Sequence, residues 1–253
     1  MKNKRIFVKW ENEINNYHGT PSWRELAGVQ EKMVVEIEEE VLKQVQEKLA
    51  GLEKQVTLKF FRTGEDHCLF CNETAELVKI VANQSENVIV EECICETHED
   101  PRAKEYGIDK QPAIVIYTED LKNHRIRYFG IPSGYEFGSF IESILEAGTN
   151  LEVEDEIAEK LRSIDKPVHM QVFVTPTCPY CPGAVRTAHR FAMINSKITG
   201  DMVEAMEFQE LSRKYRVMGV PKTIIQAEGG KPVFLEGAAP EEMFLAKILE
   251  ALG

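Results

Sequence analysis

The sequence predicts an α/β fold made of two tandem copies of one unit, each a mixed central sheet flanked by helices, with an N-terminal extension. Segments with the apolar pattern of strands alternate with segments of helical periodicity. A C-x-x-C motif twice follows a predicted strand and opens a predicted helix, at Cys68/Cys71 and at Cys178/Cys181. An x-Pro pair follows each motif at nearly the same distance, which is the pattern of a duplication.

The bulk composition is that of an ordinary globular protein. A length of 253 residues suggests two domains, since domains average about 150 residues. The net charge of −12 argues against nucleic-acid binding, which depends on Lys and Arg contacts to phosphate. No apolar run approaches the roughly 18 residues needed to cross a bilayer, and the first residues lack the apolar core of a signal peptide. We therefore expect a cytoplasmic protein without a membrane partner.

The predicted boundaries are 1–32 for the N-terminal extension, 33–149 for the first domain and 150–253 for the second. In the extension, residues 4–10 have strand character and residues 15–22 are rich in loop-forming residues. Both tryptophans of the chain, Trp10 and Trp23, lie there. We expect an additional element packed on the first domain, with a lid or an oligomer contact as the alternative.

The first unit opens with apolar residues at helical spacing, among them Val34, Val41, Val45 and Leu49. They predict an amphipathic helix over 31–50 that ends near Gly51. The elements that follow are predicted to be a strand over 56–61, the first C-x-x-C, a helix over 72–81, a strand over 88–95, a short helix over 100–106, strands over 113–117 and 125–129, and a helix over 135–147.

The second unit repeats this order from about Leu151. The predicted elements are a helix containing Val153, Ile157, Leu161 and Ile164, a strand over 168–174, the second C-x-x-C with a helix to 195, a strand over 198–205, a helix over 208–216, a hairpin over 222–236 and a helix over 241–252. The cysteines match at an offset of 110, and Pro112 matches Pro221 at 109. Each unit therefore has the order β-α-β-α-β-β-α.

The C-x-x-C motifs predict thiol chemistry, because cysteines in a reducing compartment are more often catalytic or metal-binding than structural. Unpaired N–H groups and the positive end of the dipole at a helix start favour a thiolate. Cys178 is therefore predicted to be a nucleophile, and Cys181, one turn later, can attack a mixed disulfide formed there. Pro179 near the first helical position and Pro182 near the fourth are compatible with such a start.

Each half resembles a thioredoxin or glutaredoxin domain. Thr-Pro-Thr-Cys-Pro-Tyr-Cys at 175–181 is close to the glutaredoxin signature. Two such units over about residues 33–253, each with its own C-x-x-C, resemble the protein disulfide oxidoreductases of thermophilic archaea and bacteria. The resemblance implies attacking cysteines at Cys178 and Cys68 and resolving cysteines at Cys181 and Cys71.

The resemblance also implies cis-prolines at Pro221 and Pro112, beside the thiols. The backbone ahead of each proline, at Val220 and Gln111, would pair with an extended substrate segment. The implied function is reduction, oxidation or isomerisation of protein disulfides without an organic cofactor or a metal. Disulfide-containing proteins are the implied substrates, and a flavoprotein thioredoxin reductase is the implied electron donor.

The first site departs from the family pattern. Cys68-Leu-Phe-Cys71 lacks proline, Gln111 replaces a small or branched residue, and His67 and Thr177 stand where thioredoxins carry tryptophan. The second site is therefore expected to be the stronger one. His67 is interpreted as a surface loop histidine, with stabilisation of a Cys68 thiolate as the alternative.

Cys93 and Cys95 lie two positions apart in a predicted strand, so their side chains face the same side. Such positions are about 6.5–7 Å apart, at the limit for a disulfide. Three interpretations are open: small core side chains, a relay for Cys68/Cys71, or a zinc site formed with Cys68 and Cys71. The last belongs to an alternative function, a scaffold or binding protein with one redox dithiol, Cys178/Cys181, and a metal or interaction module in the first half.

A further alternative is an electron-relay fragment like the amino-terminal part of the flavoprotein of alkyl hydroperoxide reductase. That arrangement typically keeps one active C-x-x-C. The two intact motifs of this chain, at Cys68/Cys71 and Cys178/Cys181, therefore argue against it.

Overall fold

The computed structural model describes residues 7–10, 33–63, 68–97, 99–121, 125–149 and 156–253. The predicted loop over 15–22, Trp23, His67 and the start of the predicted helix at Val153 lie outside the described residues. No helix within the described ranges is long and apolar enough to span a membrane.

The described elements follow the predicted repeat. The first half contains β1 (Phe7–Trp10), β2 (Met33–Glu36), α1 (Glu39–Leu49), β3 (Val56–Arg62), α2 (Cys71–Ala82), β4 (Val88–Ile94), α3 (Pro101–Glu105), β5 (Ala113–Tyr117), β6 (Arg125–Phe129) and α4 (Glu136–Gly148). The second half contains α5 (Glu156–Arg162), β7 (Val168–Val174), α6 (Cys181–Ile194), β8 (Ile198–Glu204), α7 (Gln209–Lys214), β9 (Lys222–Ala227), β10 (Val233–Glu236) and α8 (Glu241–Leu252).

The predicted helix over 31–50 is wrong at its start. Residues Met33–Glu36 form β2, which pairs antiparallel with β1, and the helix begins only at Glu39. Val34 and Val35 are β-branched and suit a strand, but periodicity within one window does not reveal that residues 7–10 supply the pairing partner. The remaining helix, α1, buries Val45 and Leu49 as predicted.

The two units share one eight-stranded sheet with the order β10-β9-β7-β8-β6-β5-β3-β4. Each half contributes four strands in equivalent positions, and β6 joins β8 in parallel, from Arg125↔Thr199 to Phe129↔Val203. The pairings make β3 and β7 point in the same direction. Both C-x-x-C motifs, which follow β3 and β7, therefore lie at the same end of the sheet.

Apolar side chains cover both faces of this sheet. Phe60 and Phe61, adjacent in β3, belong to different core clusters, because successive strand residues point to opposite faces. The larger cluster contains the apolar sides of α1, α2, α4, α6 and α8. The smaller cluster contains Cys93, Cys95 and Ala103 of α3. The cysteines at 93 and 95 therefore lie on the face opposite to the α2 core.

A buried ion pair lies where the units join. Arg127 Nε of β6 is 2.7 Å from Asp201 Oδ1 of β8, and His169 Nε2 is 2.5 Å from Asp201 Oδ2. Burial disfavours the charged carboxylate, but the Arg127 guanidinium and His169 hold the pKa of Asp201 well below its usual range. The buried carboxylate of Asp201 therefore has to keep its ion pair, because an unpaired buried charge would strongly destabilise the junction.

Candidate functional site

The second C-x-x-C lies between β7 and α6. Cys178 and Cys181 form a disulfide with their Cα atoms 5.5 Å apart. Cys178 keeps 7% of its surface exposed, whereas Cys181 is fully buried. Of the two sulfurs, the one predicted to attack is therefore the one that an external disulfide can approach.

The helix starts later than predicted. The N–H of Cys178 donates to Thr175 O over 3.1 Å, so residues 175–178 form a turn, and α6 begins at Cys181 with Tyr180 as its N-cap. Pro182, rather than Pro179, occupies the first helical turn. Cys178 thus lies just ahead of the helix N-terminus, and Pro179 belongs to the connecting turn.

The loop before β9 reaches the second site. The bonds Val220-Pro221 and Gln111-Pro112 are both cis, as the resemblance implied. Cys178 Sγ lies 3.7 Å from Val220 O, and Pro221 is buried. The backbone at Val220 is therefore next to the predicted attacking sulfur. The substrate-binding roles of these four residues stay predictions.

The first site has the same backbone geometry with different neighbours. Cys68 and Cys71 form a disulfide, again with a Cα separation of 5.5 Å, and α2 begins at Cys71. Cys71 is buried and Cys68 is half-buried. Leu69 is 68% exposed. The order of exposure, with the first cysteine more accessible than the second, is the same at both sites.

Gln111 distinguishes the first site from the second. Its amide nitrogen and oxygen are buried, and neither has a hydrogen-bond partner among the described residues. A buried polar group without a partner costs about 1–3 kcal/mol. Val220, at the equivalent position of the second site, has an apolar side chain and no such requirement.

Sequence reasoning missed a buried glutamate whose preceding residue contacts the loop of the second site. Glu136, at the start of α4, is 1% exposed, and one of its oxygens has no partner among the described residues. Burial raises the pKa of Glu136 to about 7, although Ser139 Oγ donates to the carboxyl group. The preceding N–H, of Tyr135, donates to Pro176 O over 2.9 Å. Glu136 therefore belongs to a first-half segment that contacts the loop leading to Cys178.

The first site has a counterpart from the second half. Glu207, just after β8, accepts a hydrogen bond from the N–H of Ile131 over 2.7 Å. Burial raises the pKa of Glu207 to about 8, with further contributions from Glu204 and from Glu73, which lies two residues after Cys71. Gly130 has a φ of 93°, and a side chain there would collide with Glu207. Each half thus supplies a glutamate, buried at 136 and partly buried at 207, from a segment that contacts the other half.

The sequence offered no clear signal for these two glutamates. Both follow a strand that pairs across the junction, β6 or β8, and neither belongs to a motif of catalytic residues. The β6–β8 pairing, which neither unit predicts alone, places the segment after each strand beside the other half, where Tyr135 contacts Pro176 and Glu207 contacts Ile131.

Exposed apolar side chains surround both sites. Near the second site, Tyr180 is 69% exposed and Met218, two residues before Val220, is 94% exposed. Next to the first site, a cavity of about 700 Å³ is lined by Leu69 from the first half and by Met206, Glu207 and Leu211 from the second. These surfaces could accommodate an apolar polypeptide segment at either site.

The four sulfurs of the predicted zinc alternative are not assembled as ligands. Among the described residues, which include all six cysteines, no three His, Cys, Asp or Glu side chains form a group that could hold a metal ion. Cys93 and Cys95 are free and buried. This geometry gives no support to the metal module.

Comparison with known proteins agrees with the geometry. Residues 168–250 match the family model of the thioredoxin domain. The alkyl hydroperoxide reductase AhpF of Staphylococcus epidermidis is 25% identical over 158 residues, which cover 62% of this chain and 28% of the relative. The chain therefore spans less than a third of that relative's length.

Two solved structures have similar folds over most of the chain. The NTD_N/C domain of alkyl hydroperoxide reductase AhpF from Enterococcus faecalis is 27% identical, with a TM-score of 0.71 and coverage of 86% of this chain and 100% of that one. A protein disulfide oxidoreductase from Aeropyrum pernix is 28% identical, with a TM-score of 0.74 and coverage of 87% and 96%. The predicted fold, two tandem thioredoxin-like domains, is confirmed, and the similarity to a protein disulfide oxidoreductase supports the predicted class.

Proposed function

We propose that this protein exchanges its two C-x-x-C dithiols with disulfides of other proteins. In the reducing direction, the Cys178 thiolate attacks one sulfur of the substrate disulfide and the other sulfur leaves as a thiolate. The Cys181 thiolate then attacks Cys178 Sγ, which releases the second substrate thiolate and closes the Cys178–Cys181 disulfide. Cys68 and Cys71 perform the same steps at the first site.

The observation that carries this proposal is the arrangement at Cys178. Cys178 is the less buried residue of the pair, and its sulfur lies 3.7 Å from Val220 O, in the loop whose backbone would pair with an extended substrate. A substrate cysteine held against this loop would meet Cys178 before the buried Cys181. Tyr180 and Met218 provide exposed apolar surface on either side.

Glu136 and Glu207 are candidates for proton transfer in this cycle. A resolving cysteine must lose its proton to attack, and a carboxyl group with a pKa near neutrality can take it. The pKa of Glu136 is about 7 and that of Glu207 about 8. We assign Glu136 to the second site and Glu207 to the first.

The electron donor, the location and the domain limits belong to the same proposal. A flavoprotein thioredoxin reductase would regenerate the dithiols, disulfide-containing proteins would be the substrates, and the reaction would take place in the cytoplasm. The functional units would be residues 33–149 and 150–253.

The test is reduction of insulin disulfides by dithiothreitol. We expect the protein to accelerate it, and a variant with serine at Cys68, Cys71, Cys178 and Cys181 to have no effect. Circular dichroism and urea unfolding would show that the variant is folded. A folded wild-type protein that fails to accelerate insulin reduction would contradict the proposal.

A second candidate is an electron-transfer module that serves one dedicated partner. It is favoured by the similarity to the domain of alkyl hydroperoxide reductase AhpF. This candidate would be favoured if the protein does not accelerate insulin reduction although the disulfides of both C-x-x-C motifs form and break reversibly.

A further inference from the structure

The sulfurs of Cys93 and Cys95 lie close together at the end of β4. Cys93 Sγ and Cys95 Sγ are 3.0 Å apart, about 1 Å more than the 2.05 Å of a disulfide bond. The sequence led us to expect backbone positions about 6.5–7 Å apart, at the limit for a disulfide; in the structure the two cysteines are free, but their sulfurs lie close together. The strand β4 ends at Ile94, so Cys95 is the first residue after the strand, and its sulfur lies towards that of Cys93.

The backbone on both sides of the pair is fixed. Cys93 is in register with Phe61 of β3, and the N–H of Cys95 donates to Arg62 O over 2.8 Å. The Arg102 guanidinium donates to Ile94 O over 2.9 Å from the start of α3. The close approach of the sulfurs is therefore set by the sheet and by α3.

The environment disfavours thiolates but accepts a disulfide. Burial and the neighbouring Cys93 raise the pKa of Cys95 to about 12, while the Arg102 charge acts in the opposite direction. Two buried thiols carry S–H groups that need hydrogen-bond acceptors, whereas a disulfide carries no polar hydrogen. The surrounding residues of the smaller core cluster, such as Phe61 and Ala103, are apolar.

We propose that Cys93 and Cys95 form a third dithiol–disulfide couple of this protein, separate from the two C-x-x-C sites. The oxidant would be a low-molecular-weight disulfide. The thiolate of one cysteine displaces one thiol from it and forms a mixed disulfide; the other cysteine then displaces the second thiol and closes the Cys93–Cys95 bond. Two protein thiols and one small disulfide thus give one protein disulfide and two small thiols.

The couple is not a relay for Cys68/Cys71 by direct contact. Cys93 and Cys95 lie in the smaller core cluster, whereas α2, which begins at Cys71, packs into the larger cluster on the other face of the sheet. The proposal is therefore independent of the function proposed for the C-x-x-C sites. Because both sulfurs are buried and the thiolate is disfavoured, exchange should be slow and is best measured at equilibrium.

The chain allows the pair to be read out without removing other cysteines. Trypsin cleaves after Lys79 and Arg102, and the peptide 80–102 contains Cys93 and Cys95 but no other cysteine. Cys68 and Cys71 fall in the separate peptide 63–79. The wild-type protein would be equilibrated with graded ratios of reduced to oxidised glutathione, quenched with acid, labelled with N-ethylmaleimide in denaturant and digested.

We expect peptide 80–102 to change from two labels to none, with a mass two hydrogens below that of the unlabelled dithiol. The midpoint is the ratio of oxidised to reduced glutathione at which half of the pair is bridged. Because the fold holds the sulfurs together, this ratio should be about tenfold lower in folded protein than in the same protein unfolded in urea. The variants Cys93→Ser and Cys95→Ser serve as controls and must not show the loss of two hydrogens.

Three results would overturn the proposal. One is a peptide that keeps two labels at every ratio. Another is glutathione attached to one cysteine without closure of the pair. The third is a midpoint in folded protein that equals that in urea or needs more oxidant, because the fold would then not favour the bond.

Discussion

The two C-x-x-C sites share a backbone but differ in what surrounds it. Both disulfides span 5.5 Å between Cα atoms, and both lie at the same end of one sheet. Cys178 is buried except for a small exposed surface and contacts Val220 O, whereas Cys68 is half-buried and stands beside exposed Leu69. The two halves therefore share the backbone geometry of the C-x-x-C disulfide but differ in the residues around the attacking cysteine.

The largest expected difference is in reductase activity. We predict that Cys178→Ser removes most of the insulin-reducing activity, and that Cys68→Ser leaves most of it. The second site has the proline-containing motif, the sulfur–carbonyl contact and apolar Val220, and each pKa unit of thiolate stabilisation corresponds to about 1.4 kcal/mol, a tenfold change in ionisation. Rates of insulin reduction with dithiothreitol at equal protein concentration measure this. Equal losses, or a larger loss from Cys68→Ser, would contradict the ranking.

Glu136 should affect the stability of the protein in a pH-dependent way. Burial raises the pKa of Glu136 from 4.5 to about 7, so ionisation of this group lowers the free energy of unfolding. The protein has its full stability below pH 4.5 and loses this contribution as the pH rises through 7. The shift corresponds to roughly 3 kcal/mol. We predict that Glu136→Gln avoids this loss and is more stable than wild type at pH 8, but not at pH 4. Urea unfolding at both pH values measures the difference.

A matched control for this prediction lies on the same helix. Glu142 is partly exposed and pairs with Lys48 on the surface, and such pairs contribute about 0–1 kcal/mol. Glu142→Gln should therefore change stability little and equally at both pH values. A Glu136→Gln variant with the pH dependence of wild type would show that the carboxyl group is not buried in its charged form.

Glu207, near the first site, is predicted to affect the rate of disulfide reduction at that site. In a background with serine at Cys178 and Cys181, the remaining activity should increase as the pH rises through about 8, where Glu207 ionises and becomes able to accept a proton. Glu207→Gln should abolish this increase and lower the rate at pH 9 severalfold. Glu210→Gln, on the same cavity but in α7, is the control. An unchanged pH profile would remove Glu207 from the mechanism.

The sequence carried enough information for the repeat, the strand and helix order and both C-x-x-C motifs, because these depend on local periodicity and spacing. It could not reveal contacts between distant segments. The pairing of β1 with β2 turned a predicted helix start into a strand, and the pairing of β6 with β8 placed the segments of Glu136 and Glu207 beside the other half. The predicted strand over 88–95 ends one residue earlier, at Ile94, and residue spacing alone did not reveal how closely the sulfurs of Cys93 and Cys95 approach each other.

The smallest effect concerns Gln111, whose amide is buried without a partner among the described residues. A leucine has a similar size and no polar atoms, so Gln111→Leu should stabilise the protein by about 1 kcal/mol. It would also make the first site more like the second, with its apolar Val220, and a modest rise in first-site activity should follow. Urea unfolding and insulin reduction in the Cys178→Ser background measure the two effects.

Gln226 provides the comparison, because its amide is exposed and donates to Gly230 O over 3.1 Å. Gln226→Leu removes a satisfied hydrogen bond and should give no stabilisation. If Gln111→Leu instead destabilises the protein, the amide at 111 has a partner such as bound water that must be retained. If it stabilises the protein but lowers first-site activity, the amide contacts the substrate, and the unpaired group at 111 is a recognition element rather than a defect of the weaker site.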